Sequence, residues 1–517
     1  MPVISENNSF SKHNMPILNA IISWLMKKRI TQIEFFMKHP HQVQQEWFQK
    51  LITQAAGTEW GKKYHYTTIK TPEEYQKRVP VSGYEVFKPH IESMQQGQQN
   101  LLWPTAIKWF AKSSGTTSDK SKFIPVSQEA LEECHFKGGK DLLSVYCNNH
   151  PDTKLFSGKV LGMAGTHNMD DDNLTSFSGD VSAILLENLP FWINWIRTPD
   201  RAVALMDEWE SKIERIAQTT IQENVTNLTG VPSWTLLLLK RILEITGKKN
   251  IADVWPNLEL FIHGGVNFEP YRDQFQKIMP ARMNYLETYN ASEGFFGIQD
   301  RQSTAGMLLM LDYGIYYEFI PLHELENENP KTLQLHEVKT GEIYALVIST
   351  NAGLWRYLIG DTIRFTSISP YRIAITGRTK NFINAVGEEL MIDNAENGIS
   401  IACEKTGAIL NEFTAAPVYF NDNENAAHEW FIEFEKEPSD LGLFCETLDK
   451  ELQKLNSDYE AKRYHDMILR KPLMRVVPKG TFYTWLKQKG KLGGQNKVPR
   501  LSNDRKYLEE ILHILNN

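Results

Sequence analysis

The sequence predicts an α/β protein in two unequal parts. A large N-terminal domain of mixed β-sheets and helices spans residues 1–384, and a small α+β C-terminal cap spans residues 385–517. Three observations lead there. Helical patterns alternate with short buried apolar runs, as layered helices and strands require. The apolar runs between residues 307 and 376 have an antiparallel look. Beyond Gly377-Arg378-Thr379-Lys380 the charge separates: residues 385–469 hold nineteen acids against six Lys/Arg, and residues 470–506 hold eleven Lys/Arg against one acid.

In order along the chain, residues 17–55 read as helical, with apolar positions at Ile33, Phe36, Val43, Trp47 and Leu51. Pro80, Ser82-Gly83 and Pro89 mark turns. Ile107–Phe110 and Phe123–Val126 flank a Ser/Gly/Thr loop. Helical patterns dominate from Ala183 to Ile245, most strongly over Trp234–Ile245. Strand-like runs follow at Leu258–His263, Met283–Tyr289, Met307–Leu311, Ile315–Ile320, Ile343–Ser349 and Ile373–Thr376. In the cap, Trp430–Glu437 alternates like a strand and Asp440–Leu455 has helical spacing.

Composition narrows the function classes. The 517 residues carry 56 Lys+Arg and 63 Asp+Glu, a net charge of −7, with 41% hydrophobic residues. That excludes a disordered chain and argues against bulk-charge binding of nucleic acid. Cys134, Cys147, Cys403 and Cys445 form no CxxC pair, so neither a disulfide framework nor a zinc ribbon is expected. The apolar run Pro16–Met26 is too short to span a bilayer and lacks the flanks of a signal peptide, so the chain reads as cytoplasmic without a membrane partner.

Three segments can carry chemistry. Lys112–Lys122, reading KSSGTTSDKSK, offers backbone N–H groups, hydroxyls and lysines suited to phosphate oxygens, although the same composition serves an ordinary surface turn. Tyr289–Gly297, reading YNASEGFFG, could stack Tyr289 on a base and bring Glu293 to Mg2+, or be a packing loop. Gly353–Arg364, reading GLWRYLIGDTIR, places a Gly-Asp pair where the carboxylate of Asp361 could accept two vicinal hydroxyls, or simply make a turn. Arg378 follows seventeen residues after Asp361, and Lys497 lies in the loop GQNKVPR of the basic tail. That tail also reads as a solvated face, as a nucleic-acid patch without a recognisable module, or as a cap that brings charge to an anionic substrate.

The order of these segments resembles the adenylate-forming superfamily and, more closely, the auxin-responsive acyl-acid amido synthetase family (Gretchen Hagen type). TEWGKKY (58–64), YYEFIP (316–321) and GQNKVPR (494–500) strengthen the resemblance, which runs from about Gln45 to Ile514. It implies an adenylate-forming fold and an ATP-dependent ligase that makes an acyl-adenylate and passes the acyl group to an amine. ATP and Mg2+ are the implied cofactors; a carboxylic acid and an amine are the partners, with no nucleic acid and no obligate protein partner. By the same resemblance Ser113, Ser114, Gly115, Thr116 and Thr117 form the phosphate loop, closed by Lys122. Tyr289, Ser292 and Glu293 form the adenine and metal motif, Glu293 being the metal ligand. Asp361 holds the ribose, Arg378 the ribose–phosphate region, and Lys497 the α-phosphate. Gly264 and Gly265 let backbone approach the nucleotide or acyl group, and His263 reads as a packed histidine. The sequence departs from the family pattern at Asp119, Ala291, Leu358 and Glu389. Transfer to a thiol such as coenzyme A, or a silent binding protein on the same fold, are the competing readings.

Overall fold

The computed structural model describes residues 28–516 apart from 114–121, 166, 169–175, 207, 266–267, 269–270, 302–304, 326, 328, 380–381, 384–387, 389, 419–425, 457–458, 461–462, 464–468 and 493–496. The helix expected to begin at residue 17 is therefore seen only from residue 28. It continues into Pro40–Ala55, which buries Val43, Phe48, Leu51 and Ile52 against the body.

An eleven-stranded sheet organises the large domain. One half is parallel: Arg197–Thr198, Lys159–Gly162, Val225–Gly230, Leu260–Gly264 and Asn284–Ala291 lie side by side. The other half is antiparallel and runs through Gly294–Ile298, Met307–Leu309, Tyr371–Arg378, Tyr357–Ile368, Ile343–Thr350 and Ile315–Pro321. The antiparallel expectation for residues 307–376 thus holds.

Two expectations change. Val225–Gly230 is a strand inside a stretch that reads as helical. Its buried Thr226 and Asn227 hide the apolar signal, and Thr226 Oγ1 satisfies itself on Leu155 O at 2.6 Å. The Gly360-Asp361 pair, expected at the end of a strand or in a turn, lies inside the twelve-residue strand Tyr357–Ile368. Gly360 takes φ +94°, which lets the strand kink without leaving the sheet. Pro232–Thr246 is a helix as expected, with Pro at its first turn and left-handed Gly247 (φ 64°) closing it.

In the cap, Ile409–Val418, Ala427–Lys436 and Leu473–Val477 form a three-stranded sheet. Side chains alternate along its middle strand. Trp430, Ile432 and Phe434 pack with the helices Ile392–Thr406 and Leu441–Leu455, while Phe431 packs with Thr481–Gln488 and Lys506–Leu515. Both faces are covered, which explains so many apolar residues in one strand. A ribbon, Phe382–Ile383 with Leu390–Met391, leads into the cap, and Ile383 and Leu390 join its core. The expected boundary at 384/385 falls between the two strands of this ribbon in sequence, outside the described residues.

The charge halves of the cap answer each other. Arg475 and Arg505 reach Glu429, Lys479 reaches Glu435, and Arg500 reaches Glu396 and Glu412. Among the described residues no helix is long and apolar enough to cross a membrane.

Candidate active site

The sheet changes from parallel to antiparallel at the strand Asn284–Ala291, and the candidate site lies beside that change. Strand ends at such a point leave backbone groups unpaired and a crevice between them. Ala291 pairs with Gly294, so Ser292 and Glu293 form a two-residue turn at the tip of the hairpin. The expected packing loop is therefore a β-hairpin that aims Glu293. Across a pocket of about 540 Å³ stand Asp361 and Arg378, and Lys497 enters from the cap. Ser113 and Lys122 line the same pocket and face each other across the antiparallel pair Trp109–Ser113 and Lys122–Val126. Ser114, Gly115, Thr116, Thr117 and Asp119 lie outside the described residues.

Asp361 is fixed from both sides. Tyr289 donates its hydroxyl to Asp361 Oδ2 at 2.6 Å, and Arg378 Nε lies 3.1 Å from Oδ1. The register of the two strands sets this pair, since Asp361 stands directly opposite Arg378. Tyr289 is only 4% exposed, with its ring centroid 4.8 Å from that of Phe296. Its hydroxyl aims Asp361, and the residue also lines the pocket. Burial and the neighbouring Asp361 carboxylate push its phenol well above its ordinary pKa, so it remains a donor.

Glu293 is the electrostatically strained group. Burial, then the Asp361 carboxylate, push its carboxyl up to about 7. Lys497 shows the opposite strain: the walls of the cleft, then the Arg378 guanidinium, lower its ammonium to about 8. One side of Lys497 is open to solvent, and its Nζ donates to the carbonyl of Gly265.

The paired glycines serve different ends. Gly264 allows close strand approach, because an added Cβ would sit 2.5 Å from Thr288 O. Gly265 lines the pocket at φ +84°, and a Cβ there would lie 2.8 Å from Lys497 Nζ. His263 is a packed histidine, as expected. It is buried, stacks on Phe268 at 4.3 Å, and burial lowers it to about 3.

Family models described as the GH3 family N-terminal, central and C-terminal domains match residues 29–283, 308–378 and 393–506. The chain belongs to the GH3 family. Indole-3-acetic acid-amido synthetase GH3.3 of Arabidopsis thaliana is 21% identical over 92% of this chain and 91% of its own. Jasmonoyl-L-amino acid synthetase JAR6 of Nicotiana attenuata is 24% identical over 92% and 93%. The solved GH3.15 acyl acid amido synthetase in complex with 2,4-DB superposes with a TM-score of 0.76 at 17% identity, covering 94% of this chain and 96% of that one. The 2-hydroxyisobutyryl-CoA ligase in its postadenylation state shares the wider fold, with a TM-score of 0.57 at 12% identity over 92% and 91% of the chains. The curated GH3 relatives are AMP-forming amido synthetases.

The departures from the GH3 pattern have physical readings where they are described. Leu358, where the pattern has arginine, packs with Ile320, Ala345 and Val347. Arg356 does not replace that arginine. It is 4% exposed, sits at φ 43°, bonds Glu318 at 3.0 Å and donates to Val79 O at 2.6 Å. It therefore ties the Val79–Ser82 segment to the sheet. Arg356→Ala is expected to lower stability by about 3–5 kcal/mol, because Glu318 is left buried and uncompensated. A denaturant midpoint measures this, and nucleotide affinity of the folded fraction should not move. Glu389 lies outside the described residues, and Ala291 lines the pocket.

Sequence reasoning missed Asp393, Glu396, Asn397 and Arg500, which the cap contributes to the pocket wall. Only the position of Asp393 and Glu396 in the first turns of the helix Ile392–Thr406, just past the junction, could have pointed to them.

Proposed function

We propose that the protein joins a small carboxylic acid to an amine, an amino acid being the first choice, at the expense of ATP. A carboxylate oxygen attacks the α-phosphorus of ATP, the bond to the β-phosphate oxygen breaks, and pyrophosphate leaves. The amine nitrogen then attacks the acyl carbon, AMP leaves, and the nitrogen loses a proton. In this reading Asp361, aimed by Tyr289, accepts the ribose hydroxyls. Arg378 and Lys122 face phosphate charge, and Ser113–Thr117 supply hydroxyls and N–H groups. Lys497 offsets the negative charge that builds on the α-phosphate during attack. Its lowered pKa still leaves it cationic below about pH 8.

The carboxyl of Glu293 fits Mg2+, since that ion is held by one or two carboxylates together with substrate phosphates. Among the described residues no cluster of three or more His, Cys, Asp or Glu could hold a metal alone. When bound, the ion would neutralise phosphate charge beside Glu293. The observation that carries the reading is the arrival of Lys497 from the cap in the pocket that holds Asp361, Arg378 and Glu293. We take the cap to begin at residue 385. All four cysteines are free thiols, in keeping with a cytoplasmic enzyme.

Pyrophosphate release across a panel of carboxylic acids, with ATP and Mg2+, tests the first step. Amino acids or coenzyme A added in parallel separate amide from thioester formation. Amide product with AMP supports the reading; thioester alone would replace it with acyl-CoA synthesis.

A further inference from the structure

Resting on the ligase reading above, we propose that Tyr271 is a positioning residue that seats Lys497 in the pocket through Arg500. Arg500 follows Lys497 by three residues in one segment outside helix and strand. That segment is laid on the cap sheet: Thr414 Oγ1 donates to Pro499 O at 2.6 Å, Ala415 N to Arg500 O at 2.9 Å, and Ser502 N to Ala415 O at 3.0 Å. The position of Lys497 is therefore the position of Arg500, carried forward by a short stretch of chain.

The Arg500 side chain is 7% exposed, and most of its partners are in the cap. Nε lies 3.3 Å from Glu396 Oε1, Nη1 meets Glu412 and the carbonyl of Phe413, and the guanidinium sits 4.7 Å from the Phe413 ring centroid. The remaining nitrogen crosses to the other domain, where Nη2 donates to the hydroxyl of Tyr271 at 2.9 Å. Tyr271 is 3% exposed and packs in the core with Phe268 and Phe275, so its oxygen is a fixed point. It lies six residues beyond Gly265, whose carbonyl receives Lys497. Gln274 adds a second crossing, donating to Leu410 O at 2.7 Å.

Arginine has five donors and no acceptor, so a buried N–H that loses its acceptor costs free energy. The Tyr271 oxygen satisfies Nη2 only when the cap sits where Lys497 reaches Gly265. Tyr271 thereby favours that posture without lining the pocket. The same logic makes Gln274 a weaker aid, since Leu410 O can be solvated when the cap moves.

Tyr271→Phe keeps the ring in the core and removes only the oxygen. Acid-dependent isotope exchange between pyrophosphate and ATP, run with the fastest acid of the panel, should fall about tenfold in kcat with KM for ATP within about twofold. Trace acetylation of Lys497 in the substrate-free enzyme, followed by mass spectrometry against Lys479 as reference, should quicken about threefold or more. Gln274→Leu should move both readouts in the same direction by less. A fall in thermal stability with unchanged Lys497 labelling would mean a merely structural tyrosine and overturn the proposal. So would unchanged exchange with unchanged labelling. If the wild-type enzyme shows no exchange with any acid, the ligase reading fails, and the labelling still decides whether Tyr271 seats Lys497.

Discussion

Replacing Lys497 by alanine should slow acyl-adenylate formation by about 10²–10³-fold, while ATP affinity changes by less than about fivefold. The asymmetry follows from where the lysine acts. In the proposed reading ground-state ATP meets many groups of the pocket, among them Asp361, Arg378 and Lys122, whereas charge that builds on the α-phosphate during attack needs a cation placed for it alone. The variant should also change the pH profile. In the free enzyme the cleft walls and Arg378 hold Lys497 at about 8, so kcat/KM for ATP in the wild type should decline as pH rises through about 8. The alanine variant should lack that limb. Stopped-flow pyrophosphate release measures the rate and equilibrium dialysis the affinity. A variant that adenylates at the wild-type rate would assign the lysine to cap docking only.

Glu293→Gln should abolish most activity, by about 10²-fold or more, and raise stability at neutral and alkaline pH. The folded protein holds the Glu293 carboxyl up at about 7, against an ordinary value of 4.5. Between those two values the folded state binds more protons than the unfolded one, so this group lowers stability as pH rises from 4.5 toward 7. Above 7 the penalty is complete, about 1–3 kcal/mol from a shift of this size after allowance for solvent at the pocket mouth. Glutamine carries no charge to desolvate. The melting temperatures of wild type and variant should therefore agree near pH 4.5 and separate up to pH 8, with the variant higher. Calorimetry at several pH values gives the difference. A variant less stable than wild type at pH 8 would show that the carboxylate is compensated inside the protein.

Much of the sheet was legible, because its runs are apolar on both faces and long enough to be read by hydrophobicity alone. Leu260–Gly264, Ile315–Pro321 and Ile343–Thr350 fall within a residue or two of their expected places. The failures share one cause: local chemistry that points away from the tertiary outcome. Thr226 and Asn227 look solvated although both are buried, Thr226 bonding Leu155 O, and Gly360-Asp361 looks like a turn although Asp361 pairs with Arg378 within the sheet. Residues named from one short segment, such as Ser292, Glu293 and Asp361, meet in one pocket. Tyr289 was named from its segment, but only the fold shows that its hydroxyl meets Asp361. Glu396 and Arg500 carry little local mark beyond a helix start and the GQNKVPR loop, because their place in the pocket depends on how two domains dock.

The central claim is that this two-domain pocket activates a carboxylate on ATP before any amine takes part. Acid-dependent exchange of labelled pyrophosphate into ATP, measured with Mg2+ and with no amine present, tests it most directly. At least one acid of a broad panel should support exchange in the wild type and lose it in Lys497→Ala. Exchange that required the amine would contradict the claim, as would none with any acid.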